Sequence, residues 1–189
     1  DQQQPPVAVR EAGAGPDVGE EVVGGDAEEV TGTVGHVEGV DLLHLLLIAS
    51  DNAAARVLAR VSPLGSEGFI DRMNLKAKEL GLTNTTYADP SGLLADNVSS
   101  AYDMARLITF VSGDERIAAI MRKQNHTVTA GRRTINIHST NQLVRQGEID
   151  VQAGKTGFIS KAGYCLATLL RLPEGGPQVA VVILGAQSN

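Results

Sequence analysis

The sequence predicts an α/β layered fold of the α+β type, in which helices pack against an antiparallel sheet built mainly from the C-terminal half. Apolar residues recur at helical spacing through residues 42–121, whereas residues 125–186 contain alternating or continuously apolar segments separated by turn residues. Because the helices come first, the strands are expected to form an antiparallel meander. A length of 189 residues, of which 42% are hydrophobic, suits one domain with a sizeable core.

The net charge of -6 is unevenly distributed. Residues 1–38 contain nine of the 22 acidic residues and one of the 16 basic residues, together with many glycines. We expect them to be a poorly ordered acidic leader, and residues 39–189 to be the folded domain. The folded part has no basic face or aromatic ladder for nucleic acid. Its longest apolar run, Leu45–Ala49, is too short to cross a bilayer.

A polar triplet interrupts the first predicted helix. Asp41 can cap an apolar segment, residues 42–48, which has too many leucines for one helix face and should be buried nearly all round. The triplet Ser50-Asp51-Asn52 then favours a break, because short polar side chains compete for backbone hydrogen bonds. A helix resumes over residues 53–60. The triplet either points side chains into a cleft or merely caps this second helix, and the segment alone leaves both interpretations open.

Three further helices are predicted before the strands. The first opens at Ser66 and ends at Gly81, where glycine suits a left-handed cap. Ser100 caps the second, and a short third helix follows Asp114. The tight turn at Asp89–Leu93, between the first two, is interpreted as structural.

Residues 125–129 and 134–138 alternate around a turn and predict a β-hairpin. His126 and His138 lie on its two strands and are candidates for cross-strand neighbours. We expect no metal site there, because no third ligand has suitable spacing, and we expect no cofactor. Three more strands follow: one that contains Lys155, one over residues 163–171 and one over residues 178–186.

The triplet Lys155-Thr156-Gly157 gives its strand a cation, a hydroxyl and a missing side chain. A strand edge of this kind can bind an extended peptide. Thr156 can bond a carboxylate, Lys155 supplies positive charge, and Gly157 lacks the Cβ that would block close approach. The triplet also resembles the end of a phosphate-binding loop, but that motif needs a glycine at position 149, which is isoleucine.

The two triplets together resemble two of the three signatures of active-site serine enzymes that act on D-alanyl peptides and β-lactams. From about Val40 to Gly185, the chain resembles the D-alanyl-D-alanine carboxypeptidase family of low-molecular-mass penicillin-binding proteins. The likeness extends to Pro90-Ser91-Gly92-Leu93 and to Ser99–Ala105. It implies a β-lactamase/transpeptidase-like fold.

The resemblance implies hydrolysis of the terminal D-Ala-D-Ala bond of peptidoglycan stem peptides through an acyl-enzyme, with β-lactams as covalent inhibitors. It also implies a periplasmic or other extracytoplasmic location. Ser50, Asn52 and Lys155 match the catalytic positions: Ser50 would relay a proton toward the leaving amine, and Asn52 would bond the substrate backbone. Thr156 would bind the terminal carboxylate, and Gly157 would let the peptide lie along the strand.

One signature of the family is missing. Its nucleophilic serine and lysine base belong to a Ser-x-x-Lys motif that precedes the Ser-x-Asn serine, and no serine of this chain has a lysine three positions later. The motif would fall before Asp1, and a membrane anchor would also lie outside this chain. We therefore expect that these 189 residues alone neither hydrolyse D-Ala-D-Ala nor form a stable penicillin adduct.

Three alternatives make different predictions. A D,D-endopeptidase of the same family fits the same motifs. A class A β-lactamase needs a deacylating glutamate with an asparagine four residues later, and none of Glu67, Glu79 and Glu115 has one. A non-catalytic peptidoglycan-peptide binding protein would bind D-Ala-D-Ala peptides without turnover.

Overall fold

The computed structural model describes residues 39–130 and 132–188. The predicted acidic leader, residues 1–38, lies outside the described residues. Within the described part, helices dominate the first half and strands the second, as predicted. None of these helices combines the length and the apolar character that a membrane span requires.

Two β-sheets are separated along the chain by one short helix. The helices are α1 (Gly39–Ala49), α2 (Asn52–Val61), α3 (Gly65–Glu79), α4 (Ala101–Ser112), α5 (Glu115–Met121) and α6 (Gln142–Gln146). Strands β1 (Asn125–Ala130) and β2 (Arg133–His138) form a hairpin, and β3 (Asp150–Ile159), β4 (Gly163–Arg171) and β5 (Gln178–Ala186) form an antiparallel sheet in that order. The predicted bounds of β4 and β5 are confirmed.

Helix α1 is less enclosed than its composition predicts. His44, Leu45 and Ile48 are buried, whereas the other leucines are partly exposed and Val40 is 51% exposed. Leu45 and Ile48 belong to the same buried cluster as Val128 of the hairpin. Burial of Leu45 and Ile48 in this cluster is the main contribution of α1 to the core.

The register of the hairpin separates its two histidines. His126 pairs with Ile137 and His138 pairs with Asn125, so the two are not direct cross-strand partners, contrary to the interpretation from sequence. The ring of His126 instead stacks on that of His44 from α1, with the ring centroids 3.8 Å apart. A contact between a helix and a strand that are so distant along the chain cannot be predicted from a local sequence pattern.

Two apolar clusters form the core. One joins α4 to the three-stranded sheet and includes Ala105, Ala153 and Leu169. The other joins α1 to the hairpin. Leu47 of α1 packs against both clusters, so the C-terminal end of α1 lies where the two cores meet.

Two aspartates hold the loop between α3 and α4. Asp103, which is 1% exposed, accepts hydrogen bonds from the amide of Asn84 and the hydroxyl of Thr85, both at 2.8 Å. Asp89 accepts hydrogen bonds from backbone amides of its own turn and from the side chain of Asn97. The hydrogen bonds of Asp89 are made within its own loop, which agrees with the structural interpretation of Asp89–Leu93.

Candidate active site

Ser50 lies at the break between α1 and α2. The first helix ends at Ala49, and Ser50 has a φ of 58°, in the left-handed region. That conformation costs about 1 kcal/mol or more for a residue with a Cβ. The amide of Asp51 closes the helix end by donating to the carbonyl of Leu45 at 3.1 Å. The predicted break is confirmed, and Ser50 carries the kind of local strain that is common at functional sites.

The ammonium of Lys155, on β3, reaches Ser50. Its Nζ is in hydrogen-bond contact with the Ser50 hydroxyl and donates to the carbonyl of Thr156 at 2.8 Å. The two contacting residues are 105 positions apart, so their contact depends on tertiary packing. In the part of the chain that the structure describes, no carboxylate forms a salt bridge with Lys155.

Burial gives Lys155 an unusual pKa. It lowers the pKa of the ammonium from 10.5 to about 8, because the charged form loses hydration without gaining a carboxylate partner. A lysine with this pKa can exchange a proton with a neighbouring group near physiological pH. The contact with the Ser50 hydroxyl therefore joins two groups that can pass a proton between them.

The other two residues of the first triplet both belong to the start of α2. Asp51 is its N-cap, and the carboxylate accepts a hydrogen bond from the amide of Ala54 at 2.7 Å. Asn52 is the first residue of the helix and is half-buried. The capping interpretation is therefore correct for Asp51, while Ser50 makes the contact with Lys155.

The contact region of Ser50, Lys155 and Thr156 forms a junction between the end of α1 and β3. Thr140 also belongs to this junction, although no recognised motif contains it. Its hydroxyl lies 2.6 Å from that of Thr156, and its amide donates to the carbonyl of Ile48 at 3.0 Å. The residue therefore ties β3 to the last turn of α1, beside Ser50. A polar run just before the Lys155 strand, Ser139-Thr140-Asn141, is the only sequence signal that points to it.

Gly154, next to Lys155, is required by internal packing. A Cβ at this position would lie 2.6 Å from Nδ2 of Asn141 and 3.0 Å from Oγ1 of Thr168. Asn141 is 4% exposed, and its Oδ1 caps α6 by accepting a hydrogen bond from the amide of Leu143 at 3.0 Å. Glycine at position 154 therefore lets this side-chain amide approach the strand next to Lys155.

Gly157 has a different environment. It is exposed, and a Cβ there would lie 3.8 Å from the Cβ of Cys165, which is an ordinary contact. Among the described residues, β3 has a strand neighbour, β4, on one side only. Internal packing therefore leaves room at position 157, and the outer edge of β3 beside Lys155 is available to an extended ligand.

The surface has concave regions away from this junction. Two concave regions, of about 530 Å³ and 780 Å³, lie elsewhere. Arg122 and Asp150 line the first, and Phe110 and Ile117 line the second. Neither region includes Ser50.

A family profile covers most of the chain. The profile described as D-alanyl-D-alanine carboxypeptidase matches residues 22–188. The chain belongs to the D-alanyl-D-alanine carboxypeptidase family. The resemblance inferred from the two triplets is confirmed.

One relative shows how much of a family member the chain represents. A D-alanyl-D-alanine endopeptidase of Escherichia coli (strain K12) is 36% identical over 148 residues, which are 77% of this chain and 47% of that protein. The chain spans about half the length of the curated relatives it matches.

Solved structures of a DD-transpeptidase and of a penicillin-binding protein share the fold of this D-alanyl-D-alanine carboxypeptidase family member. A mutant of the Streptomyces K15 DD-transpeptidase has a TM-score of 0.73 at 25% identity and covers 85% of this chain and 68% of its own. Penicillin-binding protein D2 from Listeria monocytogenes, in a cefotaxime-bound form, has a TM-score of 0.66 at 30% identity, over 78% of this chain and 59% of its own. The predicted transpeptidase-like fold is confirmed.

Five residues of this carboxypeptidase family member were predicted to form the site. The structure brings Ser50, Lys155 and Thr156 together at the junction. Asn52 and Gly157 flank it, each two positions along the chain from a residue of the contact. Thr140 is the additional member that sequence reasoning missed.

Proposed function

We propose that the protein containing this chain is a serine-type D-Ala-D-Ala carboxypeptidase that acts on peptidoglycan stem peptides through an acyl-enzyme. The observation that carries the proposal is the contact between the Ser50 hydroxyl and the Lys155 ammonium beside the outer edge of β3. The family membership and the matching triplets support it. Because peptidoglycan lies outside the cytoplasmic membrane, the proposed place of action is extracytoplasmic.

The charge of the junction suits a peptide that ends in a carboxylate. Lys155 has no carboxylate partner among the described residues, so a ligand carboxylate would supply the missing counter-charge. The hydroxyl of Thr156 would donate a hydrogen bond to the same group. An extended peptide would lie along the outer edge of β3, and the absence of a side chain at Gly157 would allow close approach.

Ser50 and Asn52 would act on the reacting part of the substrate. A hydroxyl next to an amine with a pKa of about 8 can relay a proton to the leaving amine near neutral pH. The side-chain amide of Asn52 would bond the substrate backbone and hold the scissile bond in place. In this proposal Ser50, Asn52 and Lys155 are catalytic, whereas Thr156 and Gly157 bind substrate.

The 189 residues supply these supporting groups without the nucleophile motif. No serine of the chain is followed three positions later by a lysine. We therefore propose that the isolated chain neither hydrolyses D-Ala-D-Ala nor retains penicillin covalently. β-Lactams would inhibit the complete enzyme, and the cefotaxime-bound relative from Listeria supports this.

Penicillin labelling tests the proposed roles. The protein encoded by the complete reading frame, incubated with a fluorescent penicillin and run on a denaturing gel, should give a labelled band. Lys155→Met and Ser50→Ala should slow labelling by about a hundredfold or more, as expected for loss of a proton-transfer group. Lys161→Met, which removes an exposed lysine just beyond β3, is the matched control and should label at the normal rate.

Two results would contradict the proposal. One is labelling of Lys155→Met at the rate of the unmodified protein, which would remove Lys155 from the chemistry. The other is a labelled band from the isolated 189 residues, which would show that a nucleophile lies within them.

A D,D-endopeptidase is the second candidate, because the Escherichia coli relative that is 36% identical carries that name. Digestion of purified muropeptides by the complete enzyme separates the two activities. A carboxypeptidase releases free D-alanine from uncross-linked pentapeptides, whereas an endopeptidase converts cross-linked dimers to monomers without releasing it.

A non-catalytic peptide-binding protein is the third candidate, because the chain lacks a Ser-x-x-Lys motif. It predicts that the isolated chain binds a peptide ending in D-Ala-D-Ala, without turnover. A thermal melt of the chain with this peptide, and with its L-Ala-L-Ala counterpart, tests the prediction. Stabilisation by the D-peptide alone, lost in Lys155→Met, would support binding by the junction, and no stabilisation by either peptide would exclude this candidate.

A further inference from the structure

Three side chains with metal-binding atoms converge at the N-terminal end of α1. They are Asp41 and His44 of α1 and His126 of β1, and one ligand atom from each lies within 4.8 Å of the others. His44 is 7% exposed, while Asp41 and His126 are partly buried. Sequence reasoning found no third ligand for His126 because Asp41 and His44 come from a distant helix.

The structure determines which nitrogen of His44 is free to bind a ligand. Its Nδ1 lies 2.8 Å from the carbonyl of Val40, and a carbonyl can only accept, so Nδ1 carries the proton. The neutral ring therefore presents the lone pair of Nε2. Histidines that bind metals are commonly oriented in this way, by a backbone carbonyl on the opposite nitrogen.

Lys123 already contacts the free nitrogen of His44. Its Nζ lies 3.0 Å from Nε2 of His44 and donates to that lone pair. Asp41 supplies the nearby negative charge, with its carboxylate 3.7 Å from Nε2 of His126. The lone pair of His44 Nε2 thus already accepts a hydrogen bond from a cationic group.

One ring must turn before both histidines can bind the same ion. The rings of His44 and His126 are stacked with 17° between their planes, so their lone pairs run side by side and do not converge. The side chain of His126 is 25% exposed, whereas His44 is buried and held by Val40. We therefore expect His126 to be the ring that rotates while His44 stays in place.

We propose that Asp41, His44 and His126 form a binding site for a transition-metal dication of the Zn²⁺ class, with the ammonium of Lys123 displaced when the metal binds. Two imidazoles and a carboxylate are a ligand set that Zn²⁺ accepts, with water in the fourth position. The metal would join α1 to β1 six positions before Ser50, or about 9 Å along the helix. The site does not depend on the proposed peptidase function.

Zinc titration of the tag-free 189-residue chain by calorimetry tests the proposal. We expect saturable binding of one ion per chain at about pH 7.5 and a rise in the melting temperature with zinc. Asp41→Asn, His44→Asn and His126→Asn should each weaken binding by about tenfold or more. Lys123→Met should tighten it by about threefold or more, because it removes both a competing donor and a like charge.

Two further measurements separate this site from adventitious binding. His138→Asn, which removes an exposed histidine on β2, is the control and should bind zinc normally. Cobalt should give the visible absorption of a tetrahedral ion in the unmodified chain and not in His126→Asn. Circular dichroism checks the fold of His44→Asn. Asp41→Asn and Lys123→Met test the proposal without removing the buried ring of His44.

The absence of saturable zinc binding in the unmodified chain would overturn the proposal. So would zinc affinity that is unchanged in Asp41→Asn and His126→Asn, or that is lost in His138→Asn. Weaker binding in Lys123→Met would also contradict it, because the ammonium would then support the metal instead of competing with it.

Discussion

The loop before α4 and the junction at Ser50 are both polar and partly buried, yet their charges are stabilised in different ways. The loop is held by the charge of Asp103 in the first turn of α4, whose carboxylate accepts hydrogen bonds from Asn84 and Thr85, both at 2.8 Å. At the junction, the ammonium of Lys155 meets a hydroxyl and a carbonyl, and no salt bridge to it exists among the described residues. The loop charge is compensated by the fold, and the junction charge is not.

The pKa values follow this difference. Burial by itself would raise the pKa of Asp89 in the loop, but hydrogen bonds from Ser91 and Asn97 outweigh it, and the pKa is lowered. At Lys155, burial lowers the pKa to about 8, and no comparable hydrogen bond offsets it among residues 39–130 and 132–188. A compensated charge stabilises the native state, whereas an uncompensated one is available to a ligand or to proton transfer.

Removing the loop charge should have the largest effect on stability. Asp103→Ala leaves the amide of Asn84 and the hydroxyl of Thr85 without their acceptor, so the free energy of unfolding should fall by about 4 kcal/mol. Denaturant titration measures this. Asp96→Ala, at an exposed position of the same loop, should change the value by less than about 0.5 kcal/mol. Equal values for the two variants would show that the loop charge is not structural.

The charge of Lys155 should have a smaller effect on the free energy of unfolding, and this effect should appear as a pH dependence. The pKa of Lys155 is about 8 in the folded protein against an ordinary 10.5, so the unfolded chain binds more protons between these pH values. The free energy of unfolding should therefore rise with pH across this window, by at most about 3 kcal/mol, and the burial penalty is fully present below it.

Two lysine variants isolate this pH dependence. Lys155→Met should remove the rise, and Lys161→Met, at an exposed position, should keep it. Denaturant titrations at a series of pH values give the comparison. A rise that persists in Lys155→Met would assign the effect to other groups.

The two glycines of β3 differ in how tightly the fold surrounds them. Gly154→Ala places a Cβ 2.6 Å from Nδ2 of the buried Asn141, so the free energy of unfolding should fall by about 2 kcal/mol. Gly157→Ala meets its nearest atom at 3.8 Å and should be close to neutral for stability. Thermal or chemical unfolding ranks the pair, and the reverse order would contradict the packing described for β3.

Relief of the strain at Ser50 should have the smallest effect. Ser50→Gly removes the Cβ from a residue with a φ of 58° and should raise the free energy of unfolding by about 0.5–1 kcal/mol. Ser50→Ala loses the same hydroxyl but keeps the Cβ, so it should not be stabilised. If both variants are equally stable, the backbone at Ser50 is not strained.

Local sequence signals predicted most of the fold. Ser100 caps α4 by accepting a hydrogen bond from the amide of Asp103 at 3.1 Å, and Gly81 follows α3 with a φ of 67°. The turn residues between β4 and β5 define the bounds of both strands. Such signals act over a few residues, so they can be interpreted without knowledge of the tertiary fold.

The parts of the site that sequence reasoning missed depend on contacts between distant residues. Thr140 belongs to no recognised motif, and its place beside Thr156 follows from a hydrogen bond to the end of α1. Glycine is required at position 154 because a Cβ there would clash with the side-chain amide of Asn141. The stacking of His126 on His44 of α1 is also a contact between distant residues, so no local sequence pattern indicated the side chains that surround His126.

The elements, their order and the two triplets can be identified from the sequence alone, because helix periodicity, strand alternation, caps and turns each depend on short stretches of chain. The contact between Ser50 and Lys155, and the lack of a carboxylate beside that ammonium among the described residues, follow only from three-dimensional packing. That outcome depends on how the α1–hairpin and α4–sheet cores pack against each other around Leu47. Packing of this kind sums many weak contacts between distant residues, and no local pattern contains it.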